Sequence, residues 1–157
     1  KPDIMVTAKA LGCGVPVGAF LMSEHVAQNS LTSGDHGTTY GGNPLAAAAI
    51  NIVLDLFEDN HIIDHVKEVG AYLEETLDKL VSEYDCIRER RGMGLMQGLA
   101  FEGPVGEVIL KALDKGLIVV NAGVNVIRFV PPLIIRKENV DDMAAILRTC
   151  LNEIEMG

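Results

Sequence analysis

The sequence predicts a mixed architecture, α/β at its start and α+β at its end, and three observations predict it. Two short apolar runs, at 4–7 and 17–22, lie in an opening stretch rich in glycine and small residues. Two long stretches follow in which apolar residues recur three and four apart, the spacing of helices. From about residue 85, short apolar runs alternate with two further helical patterns. The order is β-β, long helices, then β-α-β-β-α. On this reading residues 1–50 are the end of one domain, 51–84 are bridging helices, and 85–157 form a small α+β unit.

Ile4-Met5-Val6-Thr7 is strand-like, and the run at 17–22 carries Gly18 and Ala19, which leave room for a close approach. Residues 30–43 are polar and turn-like. Asn43-Pro44 then has the chemistry of an N-cap and a first helical residue. The helix continues through Leu45, Ala46, Ile50, Val53, Leu54 and Phe57. It is apolar nearly all round at its start, so deep burial is expected. In the second helix Ile62, Val66, Val69, Leu73, Leu77, Leu80 and Tyr84 make one stripe, with Glu75 and Lys79 four apart on the outer side. Leu95, Met96, Leu99, Ala100 and Phe101 suggest a strand. Pro104 and Gly116 bracket a short helix. The runs at 117–120 and 126–130 are expected strands, joined by a turn at Ala122-Gly123. The last helix spans roughly 138–155, with Val140, Met143, Leu147, Cys150 and Ile154 inward. Asp141 and Asp142 suit its positive end.

Composition narrows the function. The chain has 157 residues, 48% hydrophobic and 22% charged, which is ordinary globular content with enough length for a core. A net charge of −9 argues against nucleic acid and anionic membranes as partners, since both call for a basic patch. A small anionic ligand needs only one or two placed cations. Cys13, Cys86 and Cys150 are odd in number and widely spaced, as expected of reduced thiols in a cytoplasmic protein. No run of 18 uninterrupted apolar residues is present, so no membrane span is expected. The chain opens at Lys1 and enters a strand-like run at Ile4, which leads us to expect a piece of a longer protein.

Three features could carry chemistry. Lys9 lies in Val6-Thr7-Ala8-Lys9-Ala10-Leu11-Gly12 and is the only Lys or Arg between Lys1 and Lys67. An amine desolvated among small apolar residues loses basicity and becomes nucleophilic; the other reading is a solvated lysine on a loop. Gly37-Thr38-Thr39-Tyr40-Gly41-Gly42-Asn43-Pro44 offers hydroxyls and backbone N–H groups before a helix, a place for a phosphate or carboxylate, or merely a capped glycine-rich turn. Arg128, on the strand face of Val126 and Val130, needs an anionic partner: a ligand carboxylate or an internal salt bridge.

Other patterns lead nowhere. Gly12-Cys13-Gly14 and Gly92-Met93-Gly94 miss the dinucleotide pattern, because the third glycine falls one position late. His61 and His65 are four apart but have no third metal ligand near them, and read as helix-surface residues; no metal site is expected. His36 has no nucleophile to serve. Arg88, Arg90 and Arg91 read as a solvated or interface charge cluster.

The segment from Ala8-Lys9-Ala10-Leu11-Gly12 to Gly14-Val15-Pro16-Val17-Gly18-Ala19 resembles the lysine segment of the class III aminotransferases, which have the fold-type I architecture. His36 to Ala46, Arg91-Gly92-Met93-Gly94-Leu95-Met96, and Val126 to Leu133 resemble later segments of that family, in order. The resemblance covers essentially the whole chain and implies the C-terminal part of such an enzyme. It implies pyridoxal 5'-phosphate as cofactor and a homodimer as assembly. It implies that Lys9 forms the Schiff base with the cofactor and then shuttles a proton. Thr39 would bind the cofactor phosphate across the dimer interface, Thr38 would contact the substrate, and Arg128 would hold the substrate α-carboxylate. The likeness is nearest to members that pass the δ-amino group of N-acetylornithine to 2-oxoglutarate, giving glutamate, in arginine biosynthesis. Ornithine, succinylornithine and 4-aminobutyrate are alternative substrates. Thr38 stands where many such enzymes have serine, and Cys13 interrupts what is often a run of glycines. The family's phosphate-cradling turn, ring-stacking aromatic and ring-nitrogen aspartate precede its lysine, so this chain alone is expected to be inactive, or to serve only folding and dimerisation.

Overall fold

The computed structural model describes residues 1–155. It divides into two compact units, Lys1–His61 and Ile62–Gly157.

In the first unit β1 (Ile4–Thr7) pairs antiparallel with β2 (Ala19–Met22), from Ile4 opposite Met22 to Thr7 opposite Ala19. A tight 3-10 turn over Lys9–Gly12 leaves β1, closed by Leu11 N–H to Ala8 O at 3.2 Å and Cys13 N–H to Ala10 O at 3.0 Å. The helix α1 (Glu24–Ser30) has no counterpart in the sequence reading. Its one large aliphatic residue, Val26, cannot make a stripe. The helix α2 (Pro44–Asp59) starts where Asn43-Pro44 predicts, with Asn43 Oδ1 accepting from Ala46 N–H at 3.0 Å.

The expected deep burial of α2 is corrected. Within its unit Ala46 is buried, while Leu45 is 71%, Ile52 59% and Leu54 55% exposed. The helix packs on the turn over Lys9–Gly12, and Ala46, Ile50, Val53 and Phe57 form its less exposed stripe.

The second unit holds a four-stranded antiparallel sheet in the order β3 (Ile87–Met93), β4 (Met96–Phe101), β6 (Val126–Phe129), β5 (Val120–Asn121). The helices α3 (Ile62–Glu83), α4 (Gly106–Asp114) and α5 (Lys137–Glu155) complete it. Leu99, Phe101, Ile127 and Phe129 give the sheet its inner face. Val69, Leu73, Leu77 and Leu80 of α3 and Val140, Leu147 and Cys150 of α5 belong to the same core. Leu77 and Leu80 are 0% exposed, and burial on that scale stabilises by about 2 kcal/mol each. The stripe expected of α3 therefore serves the second unit's core. The stretch 51–84 is divided at His61, with α2 in one unit and α3 in the other.

The strand β3 was not legible, because Arg88-Glu89-Arg90-Arg91 carries charge where a strand usually carries apolar residues. Its place at the sheet edge accounts for that, since charged edges resist pairing with other chains. The strand expected at 117–120 is reduced to Val120–Asn121. Leu117 N–H still bonds Ala112 O at 2.8 Å, so the exit of α4 occupies its start.

Candidate functional site

Lys9 follows β1 directly, as the sequence suggests, but its surroundings differ from the expectation. It is exposed, so the residues of its own unit do not desolvate it. Its backbone is left-handed, with φ 57°, a conformation that costs a non-glycine residue about 1–2 kcal/mol. Its amine has no partner among the described residues. The turn thus presents a free amine from a strained position.

The segment 37–44 is a pair of tight turns leading into α2: Gly41 N–H bonds Thr38 O at 3.3 Å and Asn43 N–H bonds Tyr40 O at 3.4 Å. Two N–H groups of the first turn of α2 are met by Asn43, Ala46 N–H by its Oδ1 and Ala47 N–H by its backbone O. The helix end is therefore capped in part by its own chain, and the hydroxyls of Thr38 and Thr39 stand beside it. Both residues are exposed, with no side-chain partner among the described residues. Thr38 lines an open hollow of about 1000 Å³ together with Thr7 and Ala8, the two residues before Lys9. His36 lines the same hollow and meets Phe20 edge-on, with ring centroids 5.0 Å apart.

Arg128 belongs to the second unit. Alternation along β6 buries Ile127 and Phe129 and leaves Arg128 exposed on the outer face. The internal salt bridge weighed as its alternative is absent among the described residues. The guanidinium borders two apolar hollows, one of about 400 Å³ lined by Leu117, Val120, Phe129 and Met143, the other of about 390 Å³ lined by Met93, Met96 and Val126.

The sequence reading missed a polar network beneath the β3–β4 turn. Gln97, 1% exposed, donates to Gly94 O at 2.8 Å and Glu74 Oε1 at 3.2 Å, and its carbonyl accepts from Arg90 at 3.1 Å. Arg90 also donates to Asp78 at 2.7 Å, and that hydrogen bond pushes the guanidinium pKa further up. Arg90 is therefore part of an inner network rather than a solvated cluster. The available signal was a lone glutamine inside the apolar run 95–101, since a buried amide must be satisfied. His65 is likewise half-buried, bonded to Ile135 O at 2.8 Å, and His61 lies in the turn before α3.

Residues 1–151 match the family model of the class-III aminotransferases. The chain belongs to that family. It is 46% identical over 151 residues to an acetylornithine aminotransferase of Aquifex aeolicus, covering 96% of this chain and 38% of that one. It is 41% identical to an acetylornithine aminotransferase of Methanocaldococcus jannaschii, over 99% of this chain and 39% of that one. Among solved structures, the ornithine δ-aminotransferase of Plasmodium falciparum superimposes with a TM-score of 0.89 at 33% identity, over 97% of this chain and 40% of that one. The chain thus spans about two fifths of the relatives it matches, and its mixed α/β content with two sheets agrees with the C-terminal portion of their fold.

Class-III aminotransferases depend on pyridoxal 5'-phosphate. The chemistry present is compatible with that group: an exposed amine at Lys9 and an exposed hydroxyl at Thr39, neither with a side-chain partner among the described residues, are of the kinds that hold an aldehyde and a phosphate. Among the described residues no helix is long and apolar enough to cross a membrane.

Proposed function

We propose that this chain is the lysine-bearing part of a longer pyridoxal-phosphate-dependent aminotransferase. The observation that carries the reading is that Lys9, Thr39 and Arg128, to which the motif resemblance assigns functional roles, all lack an intramolecular partner among the described residues. Polar groups left free at matching motif positions are available to a ligand. When bound, the cofactor supplies an electron-withdrawing ring that takes up charge from the substrate carbon. Lys9 Nζ would hold the cofactor and, once displaced, would carry the proton taken from the substrate carbon to the cofactor carbon. The Thr39 hydroxyl would hold the cofactor phosphate across a homodimer interface. Arg128 directs two N–H donors at the substrate α-carboxylate, and Thr38 contacts the remainder of the substrate.

The substrate we propose is N-acetylornithine, with 2-oxoglutarate taking the amino group to give glutamate, as an enzyme of arginine biosynthesis in the cytoplasm. The names of the relatives from Aquifex and Methanocaldococcus support this reading. A second reading, another class III substrate, is favoured by the 38% identity to a [LysW]-aminoadipate semialdehyde/glutamate semialdehyde transaminase of Sulfolobus acidocaldarius. A substrate panel on the full-length enzyme separates the two. Lys9→Ala in that enzyme removes the visible absorbance of lysine-bound cofactor; a band that persists overturns the assignment. The 157-residue chain alone turns over no N-acetylornithine, and measurable turnover overturns the proposal that the site is incomplete in it.

A further inference from the structure

We propose that His36 is a positioning residue: its contact with Phe20 clasps the loop that carries Thr38 and Thr39 onto β2, and so readies Thr39 for the cofactor phosphate. This rests on the phosphate-binding reading of Thr39 above.

Residues 31–42 run from the end of α1 to the cap of α2. The hydrogen bonds of this segment are local. Thr32 N–H and Oγ1 both donate to Asp35 Oδ2, at 2.7 and 2.8 Å, and Asp35 N–H donates to Thr32 O at 3.1 Å. Gly41 N–H bonds Thr38 O, and Asn43 bonds Tyr40 O. Among the described residues none of these bonds reaches β1, β2 or α1. The ring contact is different. His36 meets Phe20 of β2 with centroids 5.0 Å apart and planes at 85°, an edge-to-face arrangement that aromatic rings prefer. The contact calls for a ring rather than a ring nitrogen, since neither imidazole nitrogen has a hydrogen-bond partner among the described residues.

The place of this contact gives it leverage. Asn43 fixes the downstream end of the loop to α2. Phe20 fixes the upstream end at His36, which keeps the Thr39 Cα within about 11 Å of an anchored one. Without the contact the free span grows from 37–42 to 31–42, twice the length. Closing a loop of twice the length is about threefold less favourable. The contact itself, as an aromatic pair, is worth about two- to tenfold in an equilibrium. Neither side chain is buried, so its loss leaves the core untouched. Phe20 and His36 also line the open hollow with Thr38, so the clasp and Thr38 border one space.

The test titrates the full-length enzyme, stripped of cofactor, with pyridoxal 5'-phosphate and with pyridoxal, which lacks the phosphate. Absorbance of the lysine-bound cofactor reads the binding. His36→Ala raises the Kd for pyridoxal 5'-phosphate about threefold and leaves that for pyridoxal unchanged. Phe20→Leu, which keeps apolar bulk without a ring, does the same, and the double variant is no weaker than either single one. His36→Phe restores the parent Kd. Amide exchange over 31–42 quickens in His36→Ala and not in His36→Phe. An unchanged Kd for pyridoxal 5'-phosphate in His36→Ala overturns the proposal. So does a His36→Phe variant as weak as His36→Ala, or an equal loss for pyridoxal. Thr39→Ala separates the failures. If it weakens pyridoxal 5'-phosphate binding while His36→Ala is silent, only the clasp falls. If both are silent, the reading of Thr39 falls as well.

Discussion

Replacing Gly70 by alanine sets two effects of known size against each other. Gly70 lies within α3, where alanine is favoured over glycine by about 1 kcal/mol. A Cβ at Gly70 would stand 2.8 Å from Gly94 Cα, 2.9 Å from its carbonyl carbon and 3.1 Å from its oxygen. All three atoms are backbone, so no side chain can swing aside. Nor can the turn retreat freely, because the buried Gln97 amide holds Gly94 O at 2.8 Å. Overpacking of this kind costs about 1–3 kcal/mol, and the backbone contact places it at the upper end. Gly70→Ala should therefore destabilise by about 1–2 kcal/mol, a fall in midpoint of about 3–6 °C for a chain of this length. Thermal melts followed by circular dichroism, with urea titration as a second measure, read the change. A raised midpoint would refute the reasoning: helix propensity would have won, and the β3–β4 turn would be free to move.

The remaining predictions separate function from stability. Arg128→Ala in the full-length enzyme should raise the KM for carboxylate substrates by about 10- to 100-fold, the loss of a charged hydrogen bond, while the melting midpoint changes little because the exposed side chain makes no hydrogen bond or ion pair with a described residue; an unchanged KM returns Arg128 to a structural role. Lys9→Gly should stabilise the chain by about 1 kcal/mol by relieving the left-handed backbone, whereas Lys9→Ala should not; equal melting midpoints in the two variants would show that the turn carries no strain. Glu68, Glu83 and Glu153 have carboxyl pKa values lowered by hydrogen bonds to Lys137, Arg148 and Lys115, which tie α5 to α3 and α4. A depressed carboxyl contributes stability above the ordinary glutamate range and loses it as pH falls through the lower folded value. Arg148→Ala should thus cost at most about 1 kcal/mol at neutral pH, after discounting for solvent, and nothing in strong acid; a difference that survives in strong acid would point to packing instead.

Legibility in the sequence followed burial. The stripe of α3 and the inward residues of α5 were readable because their burial repeats with the helical period, and Asn43-Pro44 because capping is local chemistry. The strand β3 was hidden because an edge strand is selected for charge, not alternation. The covering of α2 was overestimated because an apolar sequence reports what a helix would bury, not whether its own unit offers the surface. The positions of Lys9, Thr38, Thr39 and Arg128 came from motif resemblance, while their common lack of side-chain partners among the described residues is a three-dimensional fact that residue types do not encode. The Gln97 network likewise joins residues from 74 to 97, a span no local pattern reports.

On the role proposed for Lys9, its left-handed backbone sets heat resistance and chemistry against each other at a single codon. A library of variants screened only for survival at high temperature would enrich glycine at position 9, because glycine alone adopts that conformation without a steric penalty. Such a winner would keep the turn and lose the amine. The persistence of lysine there would then mark selection acting on reactivity against the grain of folding, and a thermostabilised design of this chain should hold position 9 fixed before any other.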